Sequence, residues 1–170
     1  LMNNDHWSPL EIVSVCLEIE TSRDIGRQIL RHRSFSFQET SQRYAIADIG
    51  TDIRDARIQD KKNRQNSTET DDTQLQEEWK LRQQSLIDKS SETYKWAIDN
   101  GIAKEQARAV LPEGNTKSRL YMNGTMRSWI HYIQLRSGNG TQKEHQEIAI
   151  ACAKAIEPIF PMIIEFLLIS

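Results

Sequence analysis

The sequence predicts an α+β fold, rich in helix and with few strands. Three observations carry this reading. Residues 12–18 (IVSVCLE) alternate loosely between apolar and polar, as a half-buried strand does. From about residue 73 the period becomes helical, and helical segments fill most of the remaining chain. Strands do not alternate regularly with helices, which argues against βαβ repeats, and neither an internal repeat nor a low-complexity tract is present.

After the strand at 12–18, Thr21 and Ser22 offer an N-cap and Asp24 suits a first helical turn. Ile25, Ile29 and Leu30 then make one apolar stripe of a helix reaching about Arg31, and Gln28 and Arg31 share a face. Residues 34–44 (SFSFQETSQRY) read as extended, with Glu39, Ser41 and Arg43 on one side and Thr40, Gln42 and Tyr44 on the other. On that alternation Phe35 and Phe37 pack into the core. Residues 45–73 are polar and irregular, with a short strand at 56–59 and an exposed loop over 61–72. Leu75, Trp79 and Leu86 define a helix over 73–100, interrupted at Arg82 and stopped by Gly101. A second helix spans 103–110 and ends at Leu111-Pro112. Residues 113–117 (EGNTK) form a turn and 118–123 a short strand. A helix over 125–136 puts Arg127 and His131 one turn apart on the same side. Another runs over 142–156, and a Pro-punctuated apolar helix closes the chain.

The length, 170 residues, suits one domain. Hydrophobic residues at 38% can build a core, while charged residues at 27% require a polar surface. With 7 Gly, 4 Pro and 2 Cys, the chain is neither collagen-like nor a disulfide scaffold. A net charge of −2 gives no global attraction to nucleic acid or anionic membrane, so any basic patch must be local. Cys16 and Cys152 form no CxxC pattern and read as two buried or half-buried thiols in a reducing compartment, hence a cytoplasmic protein. No charged stretch followed by an apolar run opens the chain, so no secretory signal is read, and the start at Leu1-Met2 suggests missing upstream residues. Residues 159–169 are too short to span a bilayer and are broken by Pro161 and Glu165.

The chemistry is concentrated in residues 23–43. That segment holds Arg23, Arg27, Arg31, Arg33, Arg43 and His32 against only Asp24 and Glu39. Guanidinium groups present a rigid fork of donors suited to phosphate. Three readings of the cluster stand open on composition: a phosphate-bearing small molecule, a nucleic-acid backbone, or a solvated, ion-paired helix face. Glu39, Ser41 and Arg43 add an acceptor, a hydroxyl and a cation that could read a polar ring and a phosphate together. No dinucleotide Gly-x-Gly-x-x-Gly, P-loop or Gly-x-Ser-x-Gly pattern occurs, and His6, His32, His131 and His145 lie too far apart for a metal-ligand spacing, so no metal is expected.

Residues 31–44 (RHRSFSFQETSQRY) resemble the signature of the flavin-dependent thymidylate synthases, which reads RHR, two residues, S, two residues, E, one residue, S, one residue, RY; all eight defined positions match. His6-Trp7-Ser8-Pro9-Leu10-Glu11 is similar to the family's H-x-(T/S)-P-x-E element. Gln28 precedes the first motif Arg by three, Ala107-Arg108 with Leu111-Pro112 resembles the "AR…LP" segment, and residues 121–136 resemble the late helix ending in LR.

The resemblance implies a single domain over 1–170 with a small, mostly antiparallel sheet, lacking the family's N-terminal segment before His6. It implies an enzyme that converts dUMP to dTMP, with 5,10-methylenetetrahydrofolate as carbon donor, FAD as redox cofactor and NADPH as reductant. It further implies a homotetramer whose active sites are shared between subunits, with no nucleic-acid or membrane partner. The positions matching the dUMP set are Gln28, Arg31, Glu39, Thr40, Ser41, Gln42, Arg43, Arg108 and Arg136. Arg136 would be catalytic, polarising the uracil ring, while Arg43 and Arg108 suit the phosphate. The positions matching the FAD set are His6, Ser8, Glu11, Arg31, His32, Arg33, Glu39, Arg127 and His131. Ser41 is expected to bind rather than attack, because no His or Lys at visible spacing would activate its hydroxyl. The family needs no cysteine nucleophile, consistent with Cys16 and Cys152 lying outside these motifs. The alternative from another class is a non-catalytic nucleotide- or nucleic-acid-binding module using the Arg23–Arg43 patch.

Overall fold

A computed structural model describes residues 6–43 and 50–168. Strand β1 (Ser14–Ser22) pairs antiparallel with β5 (Lys117–Thr125) over its whole length, from Ser14 opposite Thr125 to Ser22 opposite Lys117. Strand β2 (Ser36–Glu39) pairs with the other edge of β5, from Ser36 opposite Asn123 to Glu39 opposite Leu120. The sheet order is therefore β1-β5-β2, all antiparallel. Along β5 the side chains alternate: Ser118, Leu120 and Met122 point inward, whereas Arg119, Tyr121 and Asn123 are exposed. On the outer face Arg119 pairs with Glu18 and Glu20 of β1.

The inner face is covered by helices. Helix α1 (Arg23–Ile29) contributes Ile25 and Ile29. Helix α4 (Met126–Ser137) buries Met126, Trp129, Ile130, Tyr132 and Ile133. Helix α5 (Lys143–Ile156) buries Ala149, Cys152, Ala153 and Ile156. Trp129 donates its Nε1–H to the Val15 carbonyl of β1 at 3.0 Å, so the largest core side chain also satisfies its polar atom. Phe35 meets Trp129 edge to face, with centroids 4.9 Å apart, and Phe37 packs at the margin, as the alternation predicted.

Helix α2 (Thr73–Asp99) and the one-turn α3 (Lys104–Ala107) build a second, smaller cluster around Tyr94, Ala97 and Ala107. Asp72 caps α2 by accepting from the Leu75 amide at 3.0 Å, and Gly101 ends it with φ +77°. The face of α2 turned to the protein is Gln83, Ile87, Ser90, Tyr94 and Ala97. Two glutamines fasten it to the segment before β3 (Arg57–Gln59). Gln76 exchanges hydrogen bonds with the amide and carbonyl of Ala56, at 2.7 and 3.0 Å. Gln83 does the same with Arg54, at 3.0 and 2.8 Å.

The sequence reading needs correction in several places. Ile12 and Val13 precede β1 and are exposed; the strand continues instead to Ser22, because β5 supplies partners that far. The extended reading of 34–44 holds only over β2, since after one further bond from the Thr40 amide to the Arg119 carbonyl the chain leaves β5 and turns at Gln42 and Arg43. The 61–72 loop contains β4 (Ser67–Glu69), which pairs with β3 as a hairpin. The helix placed by Leu75, Trp79 and Leu86 is present, with those three residues partly exposed and Gln83, Ile87, Ser90, Tyr94 and Ala97 turned inward. The helix at 103–110 is one α turn followed by a 3-10 turn at Arg108–Val110, and the closing helix is a 3-10 segment at Pro161–Phe166. Cys152 is buried, but Cys16 is exposed; both are free thiols. Tyr44, part of 45–73, and Ile169 lie outside the described residues.

Gly124 is inward-facing on β5, and a Cβ there would lie 2.4 Å from Cδ1 of Phe35, a ring wedged against Trp129 and Tyr132. Gly124→Ala should therefore cost about 1–3 kcal/mol of stability in urea denaturation. An unchanged midpoint would show that the Phe35 ring moves aside freely.

Candidate active site

Three groups of sequence-selected residues come together in three places. The first is the N-terminus of α4. Thr125 caps the helix, accepting from the Ser128 amide at 3.2 Å. The Ser128 hydroxyl reaches the Ser34 carbonyl at 3.4 Å, tying α4 to the motif segment. Arg127 pairs with Glu11, the last residue of the 3-10 turn Ser8–Glu11. With His131 one helical turn on, these residues line an open hollow of about 540 Å³. Glu11, Arg127 and His131 were legible in the sequence. Ser34, Thr125 and Ser128 were not assigned there, although the motif and the capping rule were available signals.

The second place lies between α1, α4 and α5. Arg136 donates Nε–H to His32 Nε2 at 2.9 Å. His145, fully buried, has Nδ1 at 3.2 Å from Gln28 Oε1 and Nε2 at 3.1 Å from the Tyr132 hydroxyl. Gln28 in turn donates Nε2–H to Gln142 Oε1 at 2.8 Å. Burial, then the Arg136 and His131 charges, lower the His32 pKa to about 4. Burial, then the charges of Arg136 and His32, lower that of His145 to about 3. Both rings are therefore neutral at neutral pH, and His32 can accept from a guanidinium that could never act as acceptor itself. The sequence singled out Gln28, His32 and Arg136 but not Tyr132, Gln142 or His145, which carry no local motif.

The third place is the far end of β2. Glu39 accepts from the Ser118 hydroxyl at 2.6 Å and pairs with Arg23 at 3.2 Å. Beyond it, the Ser41 hydroxyl accepts from the Arg43 amide at 3.3 Å, Arg43 pairs with Glu105 at 3.2 Å, and half-buried Arg108 lies one turn after Glu105. Thr40 donates its amide to the Arg119 carbonyl, and Gln42 is buried. Arg31 and Arg33 are exposed in the turn between α1 and β2, and Arg31 does not share the inward face of Gln28. His6 and Ser8 are exposed in the N-terminal segment, which Trp7 anchors against Phe166.

Glu39 is opposite Leu120 and Ser14 opposite Thr125, so the third place and the first are separated by five residues of β5, about 17 Å. Nor is the arginine cluster a free basic surface. Arg23 is neutralised by Glu39, Arg27 by Glu113 and Arg43 by Glu105. Among the described residues, no group of three or more His, Cys, Asp or Glu could hold a metal ion, and no helix is long and apolar enough to cross a membrane.

Comparison with known proteins decides the family. Residues 1–162 match a family model described as thymidylate synthase complementing protein. The chain belongs to the flavin-dependent thymidylate synthase family. It is 48% identical over 162 residues to a probable flavin-dependent thymidylate synthase of Paramecium bursaria Chlorella virus 1, covering 95% of this chain and 74% of the relative. It is 49% identical over 158 residues to the flavin-dependent thymidylate synthase of Synechocystis, covering 93% and 73%. In structure it is similar to a UMP/dUMP methylase, PolB from Streptomyces cacaoi bound with 5-Br UMP. There the TM-score is 0.86 at 27% identity, over 98% of this chain and 78% of that one. A flavin-dependent thymidylate synthase is a methyl-transferring enzyme with a flavin cofactor, so the three places are candidate parts of one catalytic site.

Because His32 and His145 titrate lower in the folded chain than the ordinary 6.5, the unfolded chain takes up protons first as pH falls. Their contribution is complete above about pH 6.5 and fades as pH falls toward 4 and then 3. Urea midpoints should therefore begin to drop between about pH 7 and about pH 5, above the range where ordinary carboxyls titrate. A flat midpoint across that window would mean that the fold does not hold these rings neutral.

Proposed function

We propose that the chain makes dTMP from dUMP, with FAD as the redox cofactor, 5,10-methylenetetrahydrofolate as the carbon donor and NADPH as the reductant. The observation that carries the substrate side is Arg136. Its Nε–H is held by neutral His32, while its Nη groups donate to no acceptor among the described residues. A guanidinium fixed at one nitrogen and open at the others presents a permanent positive charge in a defined direction. Beside a uracil edge it favours loss of the ring N–H proton and stabilises negative charge that develops on the ring during attack. No reorganisation is needed at that moment, because His32 already orients the cation.

Gln28, Arg31, Glu39, Thr40, Ser41, Gln42, Arg43 and Arg108 complete the proposed dUMP set. Arg43 and Arg108 suit the 5′-phosphate through charge-assisted bonds. The Arg43–Glu105 pair is exposed on both sides, and such pairs contribute little, so a phosphate dianion can take the place of Glu105. Ser41 is assigned a binding role. Its hydroxyl accepts from the Arg43 amide, a contact that supplies no base to make it a nucleophile.

The donor set at the α4 N-terminus fits a dinucleotide diphosphate. Arg127, His131, the Ser128 hydroxyl and the Thr125-capped start of α4 converge on one hollow. Arg127 and His131, with Glu11, His32, Arg33, Glu39, Arg31, His6 and Ser8, are proposed to hold FAD. When bound, FAD would supply the redox chemistry that no side chain here offers. The assignments of folate and NADPH rest on the family resemblance.

The proposed assembly is a homotetramer with shared sites. Two observations support it. Glu39 and Arg127 both match FAD-binding positions, yet one chain separates them by about 17 Å along β5. Leu75, Trp79 and Leu86 form an exposed apolar stripe, 38%, 43% and 55% accessible, beside a hollow of about 500 Å³ that Ile58 also lines. A reducing cytoplasm as the site of action is supported by the exposed free thiol of Cys16.

Purified protein should be yellow and release tritium from 5-labelled dUMP. Arg136→Ala should lower methyl transfer by about 100-fold or more while leaving the fold intact, the scale of losing a preorganised charge contact. Wild-type turnover would remove Arg136 from the chemistry. Arg127→Ala should lose most of the flavin absorbance, and a fully yellow variant would refute its place in the cofactor site. Trp79→Glu should shift the tetramer to smaller species in sedimentation velocity; an unaltered tetramer would show that the stripe is not a subunit contact.

A further inference from the structure

The contacts of Gln28 extend into a longer chain of hydrogen bonds whose direction can be worked out. Arg57 donates to Glu144 Oε1 at 2.6 Å. Gln142 donates Nε2–H to Glu144 Oε2 at 2.9 Å. Half-burial alone would raise the Glu144 carboxyl, but its own backbone amide, the Gln142 amide and Arg57 outweigh that and hold it below its ordinary value. Glu144 is thus a carboxylate and can only accept.

Everything downstream follows from that constraint. Gln142 must turn its nitrogen toward Glu144, which turns its oxygen toward Gln28. Gln28 must then offer its nitrogen to Gln142, which turns its oxygen toward His145. An amide oxygen only accepts, so His145 carries its proton on Nδ1. Its Nε2 is left as an acceptor, and the Tyr132 hydroxyl must donate to it. Burial raises the Tyr132 pKa, which keeps that proton in place. Each member leaves its neighbour one choice, and among the described residues no buried side-chain nitrogen or oxygen lacks a partner.

We propose that this one-way chain, anchored on the Arg57–Glu144 ion pair and closed by His145 and Tyr132, sets the amide orientation of Gln28 for nucleotide binding. The inference rests on the reading of Gln28 as a dUMP-binding side chain. Glu144, Gln142, His145 and Tyr132 are positioning residues in it. Gln28 spends one N–H on Gln142 and one lone pair on His145. One N–H and one lone pair remain, their places fixed, to meet complementary groups of the substrate. Reversing the chain would exchange donor for acceptor at that contact.

The test uses two near-isosteric changes at opposite ends of the chain. Glu144→Gln lets position 144 donate as well as accept, so the anchor no longer dictates direction. Tyr132→Phe removes only the hydroxyl that donates to His145 Nε2, the contact that holds the Nδ1–H tautomer and the ring in place against Gln28. Each should weaken dUMP binding, measured as Kd by equilibrium dialysis and as KM, by about 5-fold, the scale of one neutral hydrogen bond, with kcat within about 2-fold of wild type. Neither should weaken binding further in a Gln28→Ala background, where no amide is left to orient. A purely structural defect would instead add to the Gln28→Ala loss, and additivity would overturn the proposal. If Gln28→Ala weakens dUMP binding but neither end variant does, the chain plays no positioning part and only the site assignment survives. If Gln28→Ala leaves dUMP binding unchanged, Gln28 is not in the site and the inference falls with that assignment.

Discussion

Strand β5 is the constraint on which the rest of this structure depends. It is hydrogen-bonded on both edges, to β1 along nine residues and to β2 along four, and it runs without a linker into α4. Its alternation therefore fixes more than which side chains enter the core. Ser118 points inward under Glu39, and Thr125 arrives at the helix start in position to cap it. The phase of α4 is then set, so Arg127 and His131 face the hollow while Trp129, Tyr132 and Ile133 fill the core. A one-residue slip of β5 would turn every one of these groups to the wrong side.

A second regularity is that the polar machinery is buried with its partners supplied from far away in sequence. His32 meets Arg136 across 104 residues, and His145 meets Gln28 across 117. Buried imidazoles surrounded by a guanidinium and by other rings stay neutral, and neutrality is what lets them accept and orient. The aromatic cluster of Phe35, Trp129 and Tyr132 does two jobs here: it closes the core and supplies the dry wall that depresses these imidazoles.

What was legible in the sequence was what is local. The RHR motif, whose family the comparisons support, the Ser22 helix start, the Gly101 stop and the α4 phase all rest on spacings within a few residues, and the structure agrees with the last three. The apolar spacing placed α2 but did not say which face it turns to the chain, because Gln76 and Gln83 fasten that face through backbone groups alongside Ile87, Tyr94 and Ala97. The extended reading past Glu39 failed because the chain bonds β5 once more, through the Thr40 amide, and then turns at Gln42 and Arg43, although β5 itself continues to Lys117. His145, Gln142 and Tyr132 were silent because their significance lies in which atom faces which, a matter of tertiary pairing rather than of pattern.

The glutamine clasp on α2 has a thermodynamic consequence. Lifting that helix away from residues 54–56 would wet amide groups more than hydrocarbon, and amide hydration does not raise heat capacity as hydrocarbon hydration does. The attachment should thus weaken little on cooling, unlike the sheet core, and should yield early to urea, which solvates peptide-like groups directly. The long helix and the sheet respond to different solvents and temperatures although they belong to one chain.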